Sequence, residues 1–72
     1  MNRYYVDKNP SLMGDHEVHR EGCLYIPLKE DRIDLGRWPS CSGAVNLAKQ
    51  TYPQANGCFL CSKMCRVTNM YD

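Results

Sequence analysis

"NGCFLCSKMC", residues 56–65, packs three of the chain's five cysteines into ten residues, and "DHEVHREGC", residues 15–23, runs two histidines into a fourth. These stretches decide the fold because the chain is only 72 residues long. A domain of that size buries about 60% of the surface its unfolded form exposes, so it leans on a staple: a metal, disulfides or oligomerisation. Cys58-Phe59-Leu60-Cys61 has the spacing that turns two thiolates toward a single ion, and Gly57 before it tolerates the backbone of a tight turn. His19 and Cys23 form the second half-site, with Gly22 easing the turn between them. Three sulfurs and one imidazole make an accepted tetrahedral set for one structural zinc, with no position left open for water.

The same residues admit other readings. A C-x2-C pair also marks a redox dithiol, but that motif follows a strand in a larger fold, whereas here a helix and a turn precede it. Five thiols cannot all pair within one chain, and in a reducing compartment clustered cysteines favour metal over bridges. Cys65 lies four residues after Cys61, so a helical turn there makes it the alternative fourth ligand in place of His19. Cys41 reads as a small buried hydrophobe. Cys41 and Cys65 are expected as non-ligand thiols, with pairing between them the oxidised alternative. His16, three residues before His19 on an extended segment, points to the opposite face. Asp15 and Glu17 flank the histidines, where a carboxylate accepts the second ring N–H of a ligand imidazole.

Outward from the half-sites, the pattern is one α+β domain over residues 1–72, with two or three short strands and one main helix. "RYYV" (3–6) has the aromatic and branched residues of an opening strand, and "EVH" (17–19) is a second that delivers His19. "RIDLGRW" (32–38) alternates Ile33, Leu35 and Arg37 against Asp34, Gly36 and Trp38, which predicts a strand with one buried face. The helix spans about 40–52: Ser40 is the N-cap, and Cys41, Ala44, Val45, Ala48 and Tyr52 form one apolar stripe. Pro53 stops it, and Asn56-Gly57 supplies a turn before Cys58. Trp38, the only indole, is expected to plug the core beside the helix. The closing "VTNMYD" (67–72) is expected to fray.

Composition narrows the function. With 43% apolar and 24% charged residues the chain is foldable, and a net charge of +1 gives no overall footprint for nucleic acid or an anionic membrane. Residues 1–34 sum to −2 and residues 35–72 to +3, so Arg37, Lys49, Lys63 and Arg66 are the candidate nucleic-acid contacts. No segment has the apolar run of an export signal or a membrane span, and a cytoplasmic location is expected.

The order "VHREGC" (18–23), "RIDLGRW" (32–38) and "SCSGAVNLAKQTYPQANGCFLC" (40–61) resembles a family of short, uncharacterised bacterial proteins with H-x3-C and G-C-x2-C motifs. More remotely, it is similar to the metal-binding domain of the Ada DNA-repair protein and its stand-alone relatives. The likeness covers residues 16–61 and implies a ligand pair, a short strand, a Ser-capped helix and a second ligand pair. In Ada the first ligand position is a cysteine whose thiolate accepts a methyl group from a DNA phosphotriester. His19 stands at that position, so the repair activity is not implied.

The expectation is therefore a non-enzymatic, intracellular binding module held by zinc. A protein is the first partner class, met by Phe59 and Leu60, which cannot both face the core from inside the C-x2-C turn. Nucleic acid is the second, with Trp38 and Tyr4-Tyr5 as possible stacking surfaces. A zinc-thiolate methyl acceptor or a thiol redox protein is the minor enzymatic reading.

Overall fold

A computed structural model describes residues 1–67. The fraying expected of the C-terminus lies, for residues 68–72, outside the described residues. The first residue of that stretch, Val67, is pinned: its N–H donates to Asn56 Oδ1 at 2.8 Å and its carbonyl accepts from Asn56 Nδ2 at 2.7 Å.

The sheet grows from β1 (Asn2–Asp7), in which Tyr4 and Val6 turn inward at the two-residue period of a strand. β2 (His16–Arg20) pairs antiparallel with it, setting Tyr5 opposite His19 and Val6 opposite Val18. β3 (Arg32–Trp38) runs antiparallel along the other side of β1. The chain then crosses through α1 (Cys41–Ala48) to β4 (Ala55–Gly57), which lies parallel to β2 at the far edge, for a sheet order β3-β1-β2-β4. The class is α+β as the sequence predicts, with one strand more than the two or three expected. Asn56-Gly57, read from local composition as a turn, is strand because it finds β2, a pairing that local residue types do not encode.

α1 packs on one face of the sheet. Cys41, Ala44, Val45 and Ala48 of the predicted stripe meet Tyr4, Val6, Val18, Leu35 and Ala55. The helix is shorter than 40–52. It ends at Ala48, and the next residues tighten into a turn in which Thr51 and Tyr52 both donate to Ala48 O, at 3.0 and 2.8 Å. Pro53 bars any continuation beyond Tyr52, since its ring disfavours helical backbone there, but the tightening begins earlier, with Gln50 N donating to Leu47 O at 3.1 Å. Tyr52 still reaches the core edge, where it stacks on His16 with ring centroids 3.9 Å apart. Ser40 occupies the N-cap with extended backbone but makes no cap bond; its hydroxyl pairs with that of Ser42 at 2.9 Å.

Two further departures follow from the tertiary fold. β1 pairs Tyr4 with Gly36 but Tyr5 with Asp34, so Leu35 is an extra residue, and Gly36 takes φ +84°. This bulge reverses the alternation beyond Leu35: Arg37 is exposed, and Trp38 packs against the core beside α1, donating from Nε1 to Leu35 O at 2.7 Å. Cys41 and Cys65 are not free thiols. They form a disulfide, with Cα atoms 6.2 Å apart, that ties the start of α1 to the 3-10 turn Lys63–Cys65.

Candidate metal centre

The centre is assembled where β2 and β4 end side by side. His19 is the penultimate residue of β2, and its neighbour's carbonyl, Val18 O, accepts from Cys58 N at 3.0 Å, which extends the parallel pairing one residue past Gly57. Cys23 returns toward His19 through a turn closed by Cys23 N donating to Arg20 O at 3.1 Å, with Gly22 at φ +86°. The second loop closes when Ser62 N donates to Cys58 O at 3.0 Å. Gly57 is needed there for space rather than for an unusual backbone angle, because a Cβ would collide with the carbonyl oxygen of Ser62.

These turns bring His19, Cys23, Cys58 and Cys61 together, with one donor atom from each all within 4.8 Å of one another. Cys23 Sγ lies 3.9 Å from Cys58 Sγ, and Cys61 Sγ lies 4.0 Å from His19 Nδ1. A tetrahedral ion with bonds of about 2.0–2.3 Å holds its donors about 3.5–3.8 Å apart. A contraction of a few tenths of an ångström along these two edges, and of at most about 1 Å along any other, brings the group to that spacing, and it can hold a metal ion. His19, Cys23 and Cys58 are buried, and Cys61 is partly exposed.

The electrostatics are those of buried, mostly neutral donors. Burial pushes the Cys23 thiol up to about 12 and raises Cys58 as well, so neither sulfur favours the anionic form unaided. Burial acts the same way on Cys61, but the backbone N–H of Arg20, the Cys23 and Cys58 thiols and the Ser62 hydroxyl together outweigh it and hold that thiol below its usual value. Arg20 N donates to Cys61 Sγ at 3.2 Å, and Leu60 N reaches Cys58 Sγ at 3.4 Å. Burial lowers His19, against the smaller opposing effects of Glu17 and Asp7, which keeps its imidazole neutral and able to donate a lone pair. A bound cation reverses the preference of the buried thiols, since coordination stabilises the thiolate directly. His19 Nε2 is, among the described residues, the buried side-chain nitrogen without a hydrogen-bond partner. It faces Glu17 Oε1 at 3.9 Å.

All four predicted ligands meet here. Cys65, the alternative fourth ligand, does not: its sulfur is bonded to Cys41, and the turn that follows Cys61 is a 3-10 turn, which breaks the four-residue face relation on which the alternative relied. His16 lies apart, its Nδ1 3.0 Å from Asp7 O and its ring on Tyr52. Asp15 accepts from Asn56 Nδ2 at 3.2 Å, so Glu17 is the carboxylate beside the His19 imidazole. Phe59 and Leu60 are both about half exposed, at 52% and 50%, and Leu24 and Tyr25 on the other metal loop are exposed too. The rings of Tyr25 and Phe59 approach to 5.4 Å. Arg37, Lys49 and Lys63 are exposed, but Arg66 is engaged internally with Glu17 and Gly57 O. Sequence reasoning missed the Arg20 amide and the Ser62 hydroxyl as donors to Cys61. Adjacency to the candidate ligands His19 and Cys61 was their only signal.

No helix among the described residues is long and apolar enough to cross a membrane. No protein-family model, curated protein or solved structure matches the chain.

Proposed function

We propose that this chain is a small zinc-stabilised binding module whose partner is a protein. The observation that carries the reading is the convergence of three sulfurs and one imidazole from two separate turns. That donor set suits zinc: soft thiolates select against magnesium and calcium, and four protein ligands leave no coordination position for substrate. The metal's role is then structural, joining the loop at 19–23 to the loop at 58–61. The remote likeness to the Ada metal-binding domain fits such a role, and with His19 in place of the acceptor cysteine no repair chemistry is proposed.

Support for a protein partner comes from what the metal loops display. Leu24 and Tyr25 follow one ligand, Phe59 and Leu60 lie between two others, and all four are exposed. Side chains on loops clamped by a metal lose little further freedom on binding, which favours them as contacts. Nucleic acid is the weaker reading, because Arg66 is already paired and only three of the four candidate cations, Arg37, Lys49 and Lys63, are exposed.

Native mass spectrometry of protein purified without chelator tests the metal. One zinc per chain is expected, on a polypeptide two hydrogens lighter than the fully reduced mass because of the Cys41–Cys65 bridge. A metal-free chain four hydrogens lighter would refute the zinc reading. The partner class is tested by recovery of a defined protein that Phe59→Ala or Leu60→Ala abolishes while zinc stays bound. Tight nucleic-acid binding that weakens steeply with salt would overturn that part.

A further inference from the structure

We infer that Glu17 and Arg66 form a supporting layer of the metal centre, in which Glu17 positions His19 and Arg66 ties the two half-sites together. The inference rests on the metal-binding reading above. His19 is 1% exposed, so both ring nitrogens need partners inside the protein. Nδ1 faces Cys61 Sγ, which makes it the ligand atom. A neutral imidazole carries one N–H, and coordination through Nδ1 places that proton on Nε2. Nε2 is the buried atom without a partner, and the nearest carboxylate oxygen is Glu17 Oε1 at 3.9 Å. Glu17 and His19 are two residues apart on β2, so they share a face of the strand. A shift of about 1 Å converts the approach into a charge-assisted hydrogen bond.

Arg66 explains why a carboxylate is tolerated so close. Three thiolates, a neutral imidazole and a divalent cation leave the centre with one negative charge, which a bare Glu17 would oppose. Arg66 Nη1 lies 3.4 Å from Glu17 Oε2 and donates to Gly57 O at 3.1 Å. Gly57 directly precedes the ligand Cys58, and Glu17 is two residues from the ligand His19. One guanidinium therefore reaches both strands that carry the site. The cation that the sequence offers as a nucleic-acid contact belongs instead to the metal centre.

The experiment compares zinc-loaded wild type with Glu17→Ala, Glu17→Gln and Arg66→Ala, using a chromophoric chelator for affinity and 15N-edited spectra for the His19 ring. Glu17→Ala should weaken zinc binding about 10–100-fold. Glu17→Gln keeps an oxygen acceptor and should lose less; Arg66→Ala should also weaken binding. The wild-type spectrum should show zinc on Nδ1 and a slowly exchanging Nε2–H, retained in Glu17→Gln and lost in Glu17→Ala. Should the alanine variant fail to fold, the glutamine and Arg66 variants carry the same spectral test. Zinc on Nε2, or wild-type affinity in all three variants, would overturn the inference. So would equal losses in both Glu17 variants with an unchanged Nε2–H signal, which would mark a bulk charge effect. Failure of the wild type to bind zinc at all would instead refute the underlying metal reading.

Discussion

Replacing Cys41 and Cys65 together by alanine removes the one covalent cross-link and leaves no stray thiol to exchange with Cys23, Cys58 or Cys61. The bridge spans a sequence separation of 24, from the first residue of α1 to the turn after the metal loop. For a closed loop of about 25 residues, the chain-entropy relation gives a stabilisation of about 3.5 kcal/mol at 25 °C. Cys41 is also 8% exposed and part of the core. Losing its sulfur adds about 0.5–1 kcal/mol for the lost packing. The sum, about 4 kcal/mol, is a large fraction of the total stability of a domain this small. At about 4–8 °C per kcal/mol it lowers Tm by about 15–30 °C. The measurement is thermal and urea unfolding at a fixed free-zinc concentration, since bound metal contributes to stability by mass action. A drop of less than about 5 °C would refute the loop-entropy argument. The folded double variant should keep one zinc per chain; a variant that stays folded by circular dichroism yet loses the metal would make Cys65 a ligand.

Cys23→Ser, Cys58→Ser, Cys61→Ser and His19→Ala should each abolish zinc binding or folding, because every donor is used, whereas His16→Ala should retain the metal; metal content and circular dichroism decide. Zinc affinity should rise with pH. Burial raises Cys23 and Cys58, so both are protonated at neutral pH and must release a proton on binding, while the lowered His19 has none to release. A plot of log affinity against pH between about 6 and 8 should therefore have a slope of at least about two protons per zinc, and a flat profile would contradict it. Gly43→Ala should destabilise by about 1–3 kcal/mol in urea unfolding, because the new Cβ collides with the Trp38 ring.

What the sequence revealed was whatever its local periods and spacings encode. β3 is predicted to the residue, and the four buried positions of α1 are the predicted stripe. The candidate ligand set, which the structure brings together, is legible because metal chemistry demands particular residue types at short spacing. What local reading missed depends on distant partners. β4 exists only because β2 accepts it, and Asn56-Gly57 carries the composition of a turn. The bulge at Leu35 arises from pairing with β1, so the phase change that exposes Arg37 is invisible within "RIDLGRW". The Cys41–Cys65 bridge, which the sequence admits only as the oxidised alternative to free thiols, requires the two to meet across α1 and the last turn, and no spacing rule decides for it. Arg66 looked like a surface cation until its partners, Glu17 and Gly57, came into contact with it.

The parallel pairing of β2 with β4 also has a kinetic side. His16, Glu17 and Val18 pair with Ala55, Asn56 and Gly57, a wider sequence separation than any pair between β1 and β2 or between β1 and β3. Closing a flexible segment of nearly forty residues costs about 3 kcal/mol in chain entropy before a single ladder bond repays it. The outermost β1–β3 pair, Asn2 with Trp38, carries a closure cost of similar size, so both edges of the sheet are non-local and slow to form in the bare chain. The two ligand pairs lie immediately beyond the β2–β4 ladder. An ion captured by one pair and then the other closes the same long loop through coordination bonds, before β4 has to find its register. On the zinc reading proposed above, free zinc should therefore raise the rate of folding as well as the stability of its end point.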